Sequence, residues 1–235
     1  MIYKILPIAL FCLSSFTTNK THTTDPKLVA KTTESTSMMK IESVYSSLHS
    51  KNKALPKIES FTNALNGFYR LKAKGLVKKN IITLIDFSLS STSKRLWVID
   101  LSTNTVLINT FVSHGMKSGL EYATSFSNTE QSNKSSLGFY ATGESYIGKH
   151  GLSLRLDGLE KGINDRARGR DIVVHGAYYS SPKILKSQGY LGRSQGCPAI
   201  PAELSKEIIN VIKNKSCLFI YHPSRNYKAA SKLIA

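Results

Sequence analysis

The chain is 235 residues long, with a formal net charge of +17 and a sequence pI near 9.8. That length holds one sizeable catalytic domain and a short appendage, and so large an excess of positive charge first suggests nucleic acid. The basic residues are spread along the whole chain, with no basic helix, zinc-finger spacing or aromatic RNA-binding strand. This excludes the nucleic-acid classes and leaves a surface suited to an anionic polymer.

Residues 1–17 read as a signal peptide. Lys4 supplies a minimal charged region, and ILPIALFCLSSF (Ile5 to Phe16) is an apolar run of signal-core length, too short for a comfortable membrane span. Cys12 lies inside it, and Phe11 stands where lipidation requires a small residue. No later segment is long and apolar enough to cross a bilayer. Residues 18–40, rich in Thr, Ser and Lys and without apolar periodicity, predict a flexible linker. In residues 41–79, Val44 and Leu48, then Ile58, Phe61, Leu65, Phe68, Tyr69 and Leu71, recur at helical spacing. Pro56 divides this stretch into two helices, the second starting near Lys57, which form an N-terminal helical flank.

After Asn80 the pattern changes to short β-like runs bounded by Gly, Ser and Asn: IITLIDFS, RLWVIDLS, TVLINTFVSHG, LGFYATGES, LSLRLDG, DIVVHGAYY and CLFIYH. Asn104 marks a turn joining the second and third runs as a hairpin. An amphipathic helix is expected over residues 201–214, with Pro201 near its start. Residues 80–225 therefore read as one mainly β catalytic domain, a β-sandwich or partly closed barrel with a few flanking helices. Residues 226–235 read as a C-terminal tail.

The chemistry concentrates between His175 and Pro201. His175 ends the apolar run RDIVVH, and Cys197 lies in the glycine-bearing loop SQGC. A free thiol ionises near pH 8.5 and is mostly protonated at neutral pH, so a nucleophilic cysteine needs a base to take its proton, and an imidazole is suited to that task. A strand end beside a glycine fixes such a ring while leaving space before it. Cys217 sits in the apolar run SCLFIY and reads as an inert buried thiol. His114 (SHGMKSG) and His150 (KHGLS) make a metal conceivable, but no pair of ligand-type residues has i, i+4 or C-x-x-C spacing. No metal and no cofactor is expected.

The segments SHGMKSGLEYATSFSN, SNKSSLGFY, GKHGLSLRLDGLE and GRSQGCPAIP together resemble the YkuD-type murein L,D-transpeptidase catalytic domain family, cysteine enzymes that crosslink peptidoglycan. The commoner family pattern has S-H-G-C followed by a pair such as Ile-Arg or Leu-Asn; here Gln195 precedes Gly196, and Pro198-Ala199 follows Cys197. The resemblance implies a β-rich fold with the cysteine loop on its open face. It makes Cys197 the nucleophile and His175 the base, with the Gly176 carbonyl orienting the ring and the N–H groups of Gly196 and Cys197 receiving the oxyanion. Substrate contacts are expected from Arg193, Ser194, His114, His150 and Tyr140, with Tyr122, Tyr146 and Arg155 as further candidates for the cleft. The implied reaction transfers the acyl group of a peptidoglycan stem peptide through a thioester to an amine of a second stem, giving a 3-3 crosslink in the periplasm or cell envelope. Two alternatives stand beside it: an L,D-carboxypeptidase in which water accepts the acyl group, and a non-catalytic wall-binding module.

Overall fold

A computed structural model describes residues 38–234. The expected signal peptide, and the linker as far as Ser37, lie outside the described residues. Residues 38–46 are helical (α1), so helix begins three residues before the expected linker boundary. Helix α2 (Ile58–Ala73) starts directly after Lys57 and buries Phe61, Ala64, Leu65, Phe68 and Leu71. These positions fall at i, i+3, i+4, i+7 and i+10, the stripe that one face of a helix presents to a core.

Eight strands form one sheet: β1 (Ile81–Asp86), β2 (Leu96–Asp100), β3 (Thr105–Thr110), β4 (Gly138–Gly148), β5 (Gly151–Gly158), β6 (Val173–Ala177), β7 (Ala199–Pro201) and β8 (Cys217–Tyr221). Their spatial order is β3-β2-β1-β8-β4-β5-β6-β7. Past β3 the chain reaches the opposite edge: Ser113 N–H donates to Ala199 O at 2.8 Å, and Ala199 N–H to Ser113 O at 3.3 Å. The two edge strands are thereby joined at one end. Of the two architectures the β pattern allows, the sheet is the nearly closed barrel and not the sandwich, a solution that removes most of the edge a flat sheet would expose.

The helix expected over residues 201–214 is shorter than its amphipathic run. Ala199–Pro201 are taken up by β7, Ala202–Leu204 form a 3-10 turn, and helix α4 covers Ser205–Ile212. Helix α3 (Pro182–Gln188) was not apparent in the sequence. It opens on a proline, ends at Gly189 in the left-handed conformation (φ 82°), and has no buried residue to produce an apolar stripe. The last segment is not a free tail: helix α5 (Arg225–Ala230) buries Tyr227, and Leu233 joins the core. The anchor is Glu160, a buried carboxylate that accepts from Phe139 N–H (2.7 Å), from Tyr227 Oη (3.1 Å) and from the Ser231 hydroxyl.

Two features of the fold position the site. The parallel register of β6 on β7 sets His175 opposite Ala199, two residues after Cys197. Beyond Gly143, the β4–β5 hairpin leaves the core: β4 changes from fully buried to partly or fully exposed, and the register shifts between Thr142 and Ser145. The bulge turns the hairpin tip towards the cysteine.

Candidate active site

Cys197 and His175 open into one cleft of about 890 Å³. The hairpin contributes Tyr146, Lys149, His150 and Ser153; the approach to β6 contributes Arg170, Asp171, Ile172 and Val173; the cysteine loop contributes Arg193, Ser194 and Gln195.

His175 is fixed through its strand. Its backbone is paired on both sides, with Ser153 of β5 and Ala199 of β7. Its Nδ1 lies 3.0 Å from Gly176 O. A carbonyl only accepts, so Nδ1 carries the proton and Nε2 is left with a lone pair, the tautomer a base requires. Burial holds the imidazole below its ordinary range, and the nearby His150 adds to this, while the bond to Gly176 opposes it. The ring stacks against His150, with centroids 4.4 Å apart and planes at 22°.

Cys197 is half-buried and free. Its Sγ accepts from Val173 N–H at 3.5 Å and approaches Asp171 O at 3.7 Å as a weak S–H donor. Burial raises the thiol above its ordinary range, while Val173 N–H and the charge of Arg170 pull it down. Burial therefore favours the uncharged forms of both groups. A thiol and an imidazole held in these forms can exchange a proton if an acyl group is brought to the sulfur. Cys217 is fully buried in β8, its thiol pushed far up by burial, and forms no disulfide.

The turn before the cysteine is organised by Ser194. Gly196 N–H donates to Ser194 Oγ at 3.0 Å, and Ser194 Oγ donates to Cys197 O at 2.6 Å. This corrects one expected role: the Gly196 N–H is already engaged within the loop, whereas the Cys197 N–H has no partner on another residue among the described residues. What Gly196 supplies instead is space and conformation. Its φ is +127°, and a Cβ there would stand 2.8 Å from Lys134 O. The hydroxyl of Ser194 is likewise committed to ordering the loop, whereas Arg193 reaches only Met116 O and Gly119 O, each at 3.4 Å, and lines the cleft.

Two expected substrate contacts lie elsewhere. His114 is 1% exposed, and its Nδ1 accepts from Arg95 Nη2 at 2.8 Å. Burial and the Arg95 charge push it down to about 4, so it stays neutral. Its backbone O accepts from Ser194 N–H at 2.9 Å, so it supports the cysteine loop from behind. Tyr140 is wholly buried in β4, its hydroxyl bound to Ser136. Both side chains sat in segments that looked site-like, but neither reaches the cleft. Arg155 and Tyr146 face each other as a cation–π pair at 4.6 Å on the hairpin. Sequence reasoning passed over Arg95, Lys149 and Arg170. An arginine opening a strand reads as solvent-facing, yet Arg95 is completely buried, donating to Val112 O and Leu89 O and lying over the Phe87 ring at 4.9 Å. Arg170, five residues before His175 in a run of arginines, carried a positional signal that charge alone did not reveal.

A buried imidazole with a free Nε2, a thiol in the same cleft and an uncommitted N–H on the cysteine can together perform acyl transfer through a thioester. Comparison with known proteins gives the family of the chain. The model of the L,D-transpeptidase catalytic domain matches residues 51–221. Among solved structures, an L,D-transpeptidase from Mycobacterium smegmatis is 13% identical, with 61% of this chain and 59% of that one aligned and a TM-score of 0.37. A variant of the Enterococcus faecium L,D-transpeptidase is 11% identical over 61% and 50%, with a TM-score of 0.38. A variant of the helical cell shape determining protein Pgp2 from Campylobacter jejuni is 15% identical over 77% and 62%, with a TM-score of 0.41. The chain thus spans between half and two thirds of the length of these structures. No curated protein matches it.

Proposed function

The chain belongs to the L,D-transpeptidase catalytic-domain family, and from that premise we propose that it is an exported cysteine L,D-transpeptidase that forms 3-3 crosslinks between peptidoglycan stem peptides. The observation that carries this reading is the tautomer of His175, whose Nδ1–H is bound to Gly176 O and whose Nε2 is left as a base within the cleft that holds Cys197. His175 takes the thiol proton as Sγ attacks the carbonyl of the L-centred third residue, and Cys197 N–H receives the developing oxyanion. The tetrahedral adduct collapses to a thioester, and the terminal D-residue leaves as an amine with the proton returned by His175. The amine of a second stem then attacks the thioester, His175 again relays the proton, and the thiol is restored.

The apolar run Ile5–Phe16 supports export, and the cationic cleft residues Lys149, Arg170 and Arg193 suit a substrate bearing carboxylates. A second reading has one observation in its favour. Pro198 and Ala199, which follow the nucleophile, are both buried, so no side chain there faces an acceptor, as a carboxypeptidase using water would allow. Mass analysis of products from purified tetrapeptide stems separates the two. Crosslinked dimer is the expected product; tripeptide alone, from folded and reduced protein, would establish hydrolysis.

A further inference from the structure

Arg170 is half-buried at the foot of the cleft, and both terminal nitrogens of its guanidinium are engaged. Nη1 donates to Ser127 O at 2.8 Å and to Ser136 Oγ at 3.4 Å; Nη2 donates to Lys134 O at 2.7 Å and to Ser132 Oγ at 3.2 Å. All four acceptors belong to one segment, residues 127–136, which has no helix or strand to hold it. That segment forms the back of the cysteine turn. Ser135 Oγ donates to Gly196 O at 3.0 Å and accepts from Gly115 N–H at 3.0 Å, while Lys134 O occupies the space where a side chain at residue 196 would stand. The guanidinium itself reaches the same place, since Nη2 lies 3.4 Å from the position of a Cβ on Gly196. A fork of rigid, permanently charged donors is what such a two-pronged clamp demands.

From this arrangement we infer that Arg170 is the positioning residue of the reactive thiol: it clamps residues 127–136 behind the cysteine turn and sets a fixed positive charge beside Cys197. The inference rests on the reading of Cys197 as the nucleophile. Burial makes this half-buried thiol resist ionisation, and a cation that cannot lose its proton opposes that resistance throughout the reaction. The other charged or titratable groups around the sulfur do not replace it. The Asp171 carboxylate acts in the opposite sense and is paired with Arg155 at 3.5 Å. His175 changes charge during the reaction. Lys149, His150 and Arg193 belong to the hairpin and the loop rim, and Tyr179 is held protonated, pushed up to about 12.

The test is the pH dependence of Cys197 alkylation by iodoacetamide on the full chain, followed by peptide mass spectrometry, for wild type, Arg170→Gln and Arg170→Lys. Arg170→Gln keeps donors for the segment and removes the charge. Its alkylation midpoint is expected to rise by about one pH unit, a roughly tenfold loss of thiolate at a fixed pH below the midpoint. Arg170→Lys, which keeps the charge, is expected to rise by less than half as much. A folded Arg170→Gln protein with the wild-type midpoint overturns the proposal. If Arg170→Gln fails to fold, a full-unit shift in Arg170→Lys overturns it, and a shift under half a unit supports it. Alkylation needs no peptidoglycan substrate, so a wild-type protein whose Cys197 titrates as expected but yields no thioester would count against the proposed function and not against Arg170.

Discussion

The wall behind Cys197 and the wall formed by the β4–β5 hairpin differ in how their polar groups are satisfied. Behind the cysteine, Arg95, His114, Ser135 and Ser194 are all buried and all bonded, mostly to backbone carbonyls and amides. On the hairpin, Glu144, Arg155 and Asp157 form ion pairs with one another and with Arg168 of the following loop that are partly open to solvent. Removing one member of a buried set leaves its partners unpaired in a low-dielectric interior, whereas surface pairs are replaced by water at little cost. The wall that holds Cys197 is therefore the rigid one, and the hairpin wall is the adjustable one. Catalysis by positioning needs the first and tolerates the second.

Substitutions on the two walls should separate accordingly. The largest effect is expected from His175→Gln, which removes the base and should lower the acylation rate by about 10³-fold, as read by stopped-flow with a carbapenem. Next is Gly196→Ala, where the added methyl meets Lys134 O and the backbone sits at φ +127°. A loss of about 10²-fold in acylation is expected, with a lowered Tm. Arg95→Met strips the donors from Val112 O, Leu89 O and His114 Nδ1 and should destabilise the domain by about 3 kcal/mol in urea unfolding. His114 gives the same wall a pH signature. Its folded-state pKa, near 4, is below the unfolded value of about 6.5, so the unfolded chain binds the extra proton between these limits. Stability contributed by this group is present above pH 6.5 and is lost as pH falls towards 4; His114→Gln should flatten that part of the Tm profile. The smallest effect is expected from Glu144→Gln on the hairpin, with Tm unchanged and the acylation rate altered by no more than about twofold. A hairpin substitution as damaging as Gly196→Ala would break the comparison.

The sequence disclosed what depends on spacing and on residue type. The apolar alternation located seven of the eight strands, and His175 was readable as a strand residue beside Gly176, although it stands at the middle of β6 (Val173–Ala177) and not at the strand end its apolar run suggested. The strand Ala199–Pro201 was hidden because three residues carry no periodicity, and the barrel closure was hidden because it rests on one backbone bridge from Ser113 to Ala199. Gly196 was visible as a residue the loop requires, but its N–H was assigned to the oxyanion when Ser194 already holds it, since backbone donors leave no trace in a sequence. His114 was placed at the substrate and Arg95 passed over for a related reason: composition marks them as polar, and only the fold shows that the two bond to each other inside the protein.

The most direct test of the account is intact-protein mass spectrometry after incubation with a carbapenem, comparing wild type with Cys197→Ala. The account predicts a single covalent adduct on the wild type, mapped to Cys197, and none on the variant. An adduct of equal yield on Cys197→Ala, or none on folded, reduced wild-type protein, would contradict it.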